Sequence, residues 1–231
     1  MKLLALDTSS VACSVALQIG DDVVERHEEQ PREHTRLLMP MIDSLLADAG
    51  VALPDLDAIV LGNGPGSFIG MRIAASVAQG LAFGASLQIV PVSSMAAVAA
   101  RVIAEHDAGE VIVVQDAHMQ EVYLGIYRPD RNNNPEATSA ERIHGLSAIA
   151  ELELSSNPSR VGAGYGWQRY PELLVANRDR VRSVVDILHP HASDLLGLAT
   201  IALDNGAAIE PQHISPAYLR HKVAEKPASI S

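Results

Sequence analysis

The chain opens with three short apolar segments that are separated by polar turns. Residues 2–6, 14–19 and 22–25 are mainly apolar, and the turns between them contain Asp7-Thr8-Ser9-Ser10 and Gly20-Asp21. Short apolar runs bounded by Asp, Ser and Gly are typical of β-strands. The turns are too short to hold a helix, so we predict an antiparallel meander at the start of the fold.

Helices and buried strands alternate after this meander. Apolar positions recur at helical spacing over residues 32–49, 69–83 and 94–105, which predicts three helices. The short apolar runs 58–62 and 88–92 predict buried strands between successive helices. The first half of the chain is therefore predicted to contain three strands followed by alternating helices and strands.

The strand pattern restarts in the second half of the chain. Residues 110–116 and 121–127 predict two strands around a polar turn, and helices are predicted near 146–152 and over 192–205. This order is typical of an α/β, actin/hexokinase-like (ASKHA) two-lobe fold with mixed sheets, covering helices and an abbreviated second lobe. A fully parallel dinucleotide-binding fold fits worse, because residues 2–25 offer no crossover helix.

We predict three regions from this pattern. Residues 1–108 form the first actin-like lobe, which includes the helices over 32–49 and 69–83. Residues 109–190 form a smaller second lobe. Residues 191–231 form a C-terminal helix and tail that pack back on the first lobe.

The charge of the chain argues against direct binding of nucleic acid. The formal net charge is −11, with 28 acidic against 17 basic residues, and aromatic residues make up only 3% of the chain. An acidic protein repels phosphates, and few aromatic side chains are present to stack on bases. Any role on RNA is therefore expected to depend on a partner.

The composition also bears on the cellular compartment. Hydrophobic residues make up 48% of the chain, yet uninterrupted apolar runs stay well short of the roughly 18 residues that read as a membrane span. Cys13 is the single cysteine, which excludes an intramolecular disulfide framework. We expect a cytoplasmic protein with no membrane segment.

Two segments of the first lobe are candidates for an anion-binding loop. Asp7, Thr8 and Ser9 follow the first strand, and Gly64, Gly66 and Ser67 precede the second helix. Exposed amides of a glycine-rich loop at a helix start can hold a phosphate. The same residues equally fit a hydrogen-bonded turn and a helix cap without any ligand.

The helix over 69–83 carries small or apolar residues on nearly every face. Helices of this kind are usually covered on all sides. One face of this helix can enter the core of the first lobe, which leaves further apolar residues uncovered. The preceding helix has a similar excess of apolar residues on the side of Leu37, Leu38, Met41 and Leu45. This pattern indicates a surface that a partner protein covers, although the second lobe could cover it instead.

Seven segments follow one another over nearly the whole chain: LALDTSS, PREHTRLLMPMID, GNGPGSFIGMRI, PVSSM, DAHMQEVYLGIY, GAGYGW and PAYLRHKVAEK. In this order they resemble the TsaB family, the dimerisation subunits of the bacterial tRNA threonylcarbamoyladenosine machinery. The resemblance implies a heterodimer with the catalytic paralogue TsaD, an ATPase partner TsaE, and contact with tRNA only through the complex. It also leaves open a homodimer of the isolated chain.

The resemblance places the contact with TsaD on the two helices of the first lobe. No cofactor is expected to be required by this chain, and a nucleotide at the junction with the partner is left open. The interface residues expected from it are Arg32, His34, Leu38, Met41, Ile42, Leu45, Met71, Arg72, Ala75 and Gln79.

Comparison with the catalytic paralogue predicts that this chain lacks the metal-dependent transfer step. The paralogue resembles Pro-Val-x-His-Met-Glu-x-His after the corresponding strand, with histidines four apart as metal ligation needs. Ser94 and Val98 stand at those positions here, and valine cannot coordinate a metal. The closest histidine pair elsewhere is His189 and His191, which has no evident third ligand, so we predict no catalytic residue and no metal site.

Three residues depart from the usual pattern of the family. His118 and Gln120 stand where arginine and glycine are commoner, and Ile69 stands where threonine is commoner. The first two substitutions call into question any inter-lobe role of their turn. Loss of the threonine hydroxyl weakens the anion-loop interpretation.

Two enzymatic alternatives share parts of this pattern. An ATP-dependent small-molecule kinase has the same lobe order, but it needs two complete lobes and a placed general base. A glycoprotease-like hydrolase would need metal ligands that are missing here, and no Gly-x-Ser-x-Gly nucleophile motif occurs. The accessory-subunit interpretation is therefore preferred to both.

Overall fold

The computed structural model describes residues 1–146 and 159–220. In the first lobe, β1 to β3 form the predicted antiparallel meander, and β4 and β5 extend the sheet in parallel on the other side of β1. The strand order is β3-β2-β1-β4-β5. The strands are β1 (Lys2–Asp7), β2 (Ala12–Ile19), β3 (Asp22–Glu29), β4 (Ala58–Gly62) and β5 (Gln88–Val92).

The second lobe repeats this order in shorter form. Its sheet runs β11-β10-β6-β7-β8, with β9 also paired to β7, and it has the same sequence of antiparallel and parallel neighbours. The repeated topology confirms the actin/hexokinase-like fold. The strands are β6 (Glu110–Asp116), β7 (Glu121–Pro129), β8 (Pro135–Ala137), β9 (Arg142–Gly145), β10 (Arg160–Ala163) and β11 (Ser183–Val184).

Two helices of the first lobe begin after serines that satisfy free backbone amides. The Ser67 hydroxyl accepts from the Gly70 amide at the start of α2, and the Ser93 hydroxyl does the same for Ala96 in α3. The helix predicted near 146–152 falls almost entirely outside the described residues. The helices are α1 (His34–Ala49), α2 (Phe68–Ala85), α3 (Ser94–Glu105), α4 (Tyr165–Arg169), α5 (Pro171–Asn177) and α6 (Ala192–Asp204).

The first sheet is covered on both faces. Leu38 of α1 and Ala74 of α2 pack with Leu4 on one face. Leu195 of α6 packs with Leu3 on the opposite face, because neighbouring residues of a strand point to opposite sides. The C-terminal helix therefore packs back on the first lobe.

Helix α3 ends just before the boundary predicted at residue 108, but it packs in the cores of both lobes. Its Met95 and Val98 belong to the core of the second sheet together with Val111. Its Ala97 belongs to the first-lobe core that α6 covers. The two lobes thus share one helix as a common packing element.

The segment after α6 connects both lobes along one side. The Asn63 side chain donates to the Ser215 carbonyl at 3.1 Å, and Arg72 donates to the Tyr218 hydroxyl at 2.8 Å. On the second lobe, the Arg220 guanidinium donates to the Ala117 carbonyl at 2.8 Å. These contacts hold the lobes together beside the start of α2.

Candidate functional site

A cleft of about 610 Å³ lies between the two lobes. The ends of β1 and β6, the first strands of the two sheets, lie at this cleft. Here the first lobe contributes residues near Ser10, Arg32 and Pro65, and the second lobe contributes Asp116 and Tyr165. The cleft therefore combines the turn after β1, the glycine-rich loop before α2 and the turn after β6.

Asp7 lies at the end of β1 and is only 1% exposed. Its carboxylate accepts hydrogen bonds from the Ser9 amide and hydroxyl and from the Ser94 hydroxyl. Burial raises the pKa of Asp7, and the hydrogen bonds from Ser94 and Ser9 partly oppose that rise. Ser94 also accepts from the Gly64 amide at 3.0 Å, so Asp7 connects β1, the glycine-rich loop and α3.

Glycines in the loop allow backbone segments to approach closely. A Cβ atom at Gly66 would lie 2.1 Å from the Ser9 carbonyl oxygen, and one at Gly70 would lie 1.9 Å from the Thr8 carbonyl oxygen. The Ser67 amide donates to the Ser9 carbonyl at 2.6 Å. Glycine is needed at these positions because any larger residue would push the loop away from the turn after β1.

The structure brings the six predicted anion-loop residues together, but many of their polar groups bond to one another. The Thr8 hydroxyl donates to the Gly70 carbonyl, and the Ser67 hydroxyl accepts from the Gly70 amide. A hydrogen-bonded turn and a helix cap account for these residues without an anion, so the anion site stays a prediction. The six residues are Asp7, Thr8, Ser9, Gly64, Gly66 and Ser67.

The positions that correspond to the paralogue's histidines serve as internal contacts. Ser94 is 2% exposed and is engaged with Asp7 and Gly64. Val98 is fully buried in the core of the second sheet. Neither side chain can ligate a metal from this arrangement.

Most of the predicted partner-interface residues are covered by the first lobe itself. Arg32, Arg72 and Gln79 are exposed, whereas the other seven belong to the buried part of the chain. The surplus of apolar positions inferred from the sequence is thus largely used by the chain's own core, and these seven side chains are not available to a partner. The seven residues are His34, Leu38, Met41, Ile42, Leu45, Met71 and Ala75.

A different face of α2 remains exposed. Ile69 is 70% exposed and Phe83 is 76% exposed, and Ser76 and Gly80 lie between them at helical spacing and are also exposed. Ile73, on the same face, is half-buried and also packs against the first-lobe core. We call these five residues the α2 surface. An exposed helix face with this many apolar and small residues is typical of a protein-interaction site.

The same composition makes α2 long and apolar enough, by these measures alone, to cross a membrane. Core helices pass the same test, so this property is weak support for a membrane span. In this fold the opposite face of α2 packs against the first sheet through Ala74, Ala78 and Ala82. The apolar composition therefore reflects two packing faces, of which the chain covers one.

Two polar side chains of the predicted interface, those of Arg72 and Gln79, contact the C-terminal segment. The Arg72 guanidinium lies 3.6 Å from the centroid of the Phe68 ring and also donates to Tyr218. The Gln79 side chain donates to the Pro211 carbonyl at 2.9 Å. Both side chains hold the C-terminal segment against α2, so neither is free to act as a partner anchor without rearrangement.

The turn between β6 and β7 has a strained backbone. His118, Met119 and Gln120 have φ angles of 60°, 55° and 59°, and all three side chains are exposed. The left-handed conformation costs non-glycine residues roughly 1–2 kcal/mol each. Glycine, the commoner residue of the family at position 120, would remove one of these costs.

Replacing Gln120 by glycine is therefore expected to stabilise the chain by about 1 kcal/mol. Urea unfolding of the purified chain measures the change. Gln212→Gly is a matched control, because Gln212 is exposed and does not have a positive φ, so this variant should be no more stable than the unaltered chain. A Gln120→Gly variant that unfolds at lower urea concentration would contradict the assignment of strain.

A cluster of acidic and imidazole groups lies outside the cleft, at a place that the sequence did not predict. The sequence pairs His191 with its neighbour His189, whereas the structure groups His191 with Glu25 and His27 of β3. One feature of the sequence could have indicated part of this cluster: side chains alternate along a strand, so residues 25 and 27 lie on the same face. Burial by itself raises the pKa of Glu25, but hydrogen bonds from His191 and from the Ser193 amide are the main reason that it is lowered to about 2.

Comparisons with known proteins agree with this geometry. A family model described as TsaD: tRNA N6-adenosine threonylcarbamoyltransferase matches residues 26–159. The tRNA threonylcarbamoyladenosine biosynthesis protein TsaB of Escherichia coli K12 is 37% identical over 227 residues, which are 98% of this chain and 97% of that protein. The protein of the same name from Haemophilus influenzae is 37% identical over 234 residues, which are 98% of this chain and 96% of that protein.

A solved structure supports the same relationship. The structure described as YeaZ from Pseudomonas aeruginosa superposes with a TM-score of 0.85 at 39% sequence identity, covering 94% of this chain and 99% of that chain. Both the strand order and the full-length similarity therefore point to one family. This chain belongs to the TsaB family.

Proposed function

We propose that this chain is a non-catalytic subunit that pairs with TsaD and activates it in tRNA threonylcarbamoyladenosine biosynthesis. In this scheme TsaD transfers threonylcarbamoyl to the adenosine next to the anticodon. The α2 surface is the observation that supports the proposal most directly. Its small residues, Ser76 and Gly80, would let a partner helix approach closely, and its apolar residues would be buried by that helix.

The internal contacts of the cleft support a non-catalytic role for the chain. Ser94 and Val98 occupy the positions of the paralogue's metal ligands, and both contribute to packing within the described chain. Asp7 is buried and engaged by three donors, so it is poorly placed to bind a metal–phosphate group. The metal-dependent transfer is therefore assigned to TsaD.

The proposal also covers how the chain meets its other partners. The net charge of this chain is −11, so the chain by itself would repel the phosphates of tRNA. Contact with tRNA is therefore assigned to the complex with TsaD. The ATPase TsaE would act on the assembled pair, and a nucleotide could lie at the junction of the subunits. The isolated chain would form a homodimer by covering the same α2 surface with a second copy. The proposed location of the chain is the cytoplasm.

Reconstitution with the cognate TsaD tests this function. TsaD, TsaE, ATP, threonylcarbamoyl-adenylate and unmodified tRNA are incubated with and without this chain, and modified nucleosides are quantified by mass spectrometry. We expect modification only when both TsaD and this chain are present. Modification by this chain without TsaD, or full modification by TsaD and TsaE without this chain, would contradict the proposal.

A further inference from the structure

The side chains of Glu25, His27 and His191 converge where β3 meets the start of α6. One ligand atom from each of the three residues lies within 4.8 Å of the other two. We propose that these residues bind a divalent transition-metal ion, which links the edge strand β3 to α6. Zinc is the ion that best matches these three ligands.

The donor set fits this class of ion. Two imidazoles and one carboxylate are a ligand combination that zinc uses, with a fourth position left for water. Tetrahedral bonds of about 2.1 Å place ligand atoms about 3.4 Å apart. The Glu25 carboxylate oxygen and the His191 Nδ1 atom are already 2.9 Å apart, so these two ligand atoms need little movement to share an ion.

His27 shows that the cluster is incomplete without a further group. Both of its ring nitrogens are buried, and neither makes a hydrogen bond within the part of the chain that the structure describes. The Glu29 carboxylate is 3.5 Å from Nε2, beyond good hydrogen-bonding distance. Buried polar atoms are normally satisfied, and a metal ion would satisfy one of these nitrogens.

The second carboxylate oxygen of Glu25 is held by outer contacts. It accepts hydrogen bonds from the Ser14 hydroxyl and from the Ser193 amide, both at 3.0 Å. Hydrogen bonds of this kind orient ligating carboxylates in metal sites. The His27 and His191 rings are stacked, with centroids 3.8 Å apart and an interplanar angle of 5°, so one ring has to turn out of the stack before both imidazoles can face one ion.

The location indicates a structural rather than a catalytic ion. The three ligands lie on an edge strand and at the start of a helix that covers the same sheet. An ion there joins segments that are far apart in the sequence and stabilises the folded chain by binding it in preference to the unfolded chain. The site does not depend on TsaD, so its test uses the isolated full-length chain.

Metal binding is measured on the metal-stripped protein by calorimetry with Zn²⁺ and by visible absorption with Co²⁺. We expect one ion per chain, intense Co²⁺ bands typical of four-coordinate geometry, and a higher unfolding temperature with Zn²⁺. Absence of these bands from the unaltered, folded chain overturns the proposal, whatever the variants do.

Substitutions then assign the ligands. His27→Asn and His191→Asn should each weaken Zn²⁺ binding by at least about tenfold, while His213→Asn, at an exposed histidine elsewhere, should leave it unchanged. Circular dichroism of the metal-free variants checks that they are folded. Equal Zn²⁺ affinity in all three variants and the unaltered chain would show adventitious binding and would overturn the site.

Discussion

Replacing Gly80 by arginine is expected to abolish pairing with TsaD and, with it, tRNA modification in the reconstituted reaction. Gly80 is exposed in the middle of the α2 surface, and a Cβ atom there meets nothing within 4 Å. In the free chain the arginine would extend into water. In the complex it would place an unpaired charge at a packed contact, which costs several kcal/mol and weakens binding about a hundredfold or more.

The free chain should keep its stability, because arginine favours a helix by about 1 kcal/mol relative to glycine. Val175→Arg supplies the matched control, since Val175 is 69% exposed on α5 of the second lobe. Calorimetry with purified TsaD measures the affinity, and thermal unfolding measures the stability. If Gly80→Arg bound TsaD as tightly as Val175→Arg, the α2 surface would not be the contact.

The variants Met41→Asp and Ala75→Arg would not test this contact, although the sequence suggests them as interface changes. Both residues are only 7% exposed and lie in the core of the first lobe. A charge there would disrupt the chain's own packing. Loss of pairing in these variants would therefore report unfolding rather than the loss of an interface.

Replacing Gly70 by alanine is expected to destabilise the chain by about 1–3 kcal/mol or more. The new Cβ atom would lie 1.9 Å from the Thr8 carbonyl oxygen, a backbone atom that follows β1 and cannot rotate away. The start of α2 would have to move away from the sheet. Movement of that kind would also break the hydrogen bond from the Thr8 hydroxyl to the Gly70 carbonyl.

The same substitution later in the same helix should have the opposite sign. A Cβ atom at Gly84 meets nothing within 4 Å, so Gly84→Ala should stabilise the chain by about 0.5–1 kcal/mol through helix propensity. Urea unfolding of both variants measures the difference. If both variants had the same stability, the close approach of α2 to the turn after β1 would be wrong.

Local patterns predicted the elements of the first lobe well. The three opening strands, α1, α2 and α3 all appear close to their predicted bounds. These elements are set by apolar periodicity and by capping residues such as Ser67 and Ser93, which act within a few positions along the chain. The second lobe was harder to predict because several of its strands have only two to four residues.

Local patterns in the sequence could not predict which residues of the candidate sites are exposed. Ile69 and Leu38 are both apolar helix residues in the sequence, but one is 70% exposed and the other 1%. The rotation of each helix on the sheet decides which residue is buried, and that rotation follows from packing across the whole lobe. The sequence therefore predicted the helices α1 and α2 but not which face of α2 is exposed.

By itself, the sequence determined the family and the order of strands and helices in the first lobe. Short-range periodicity, caps and glycine spacing carry that information. The tertiary structure alone decided which apolar residues remain exposed on α2 and that Glu25 and His27 lie beside His191, which is far away in the sequence. Such groupings arise only when β3 and α6 pack on the same sheet, because contacts between distant segments depend on the fold as a whole.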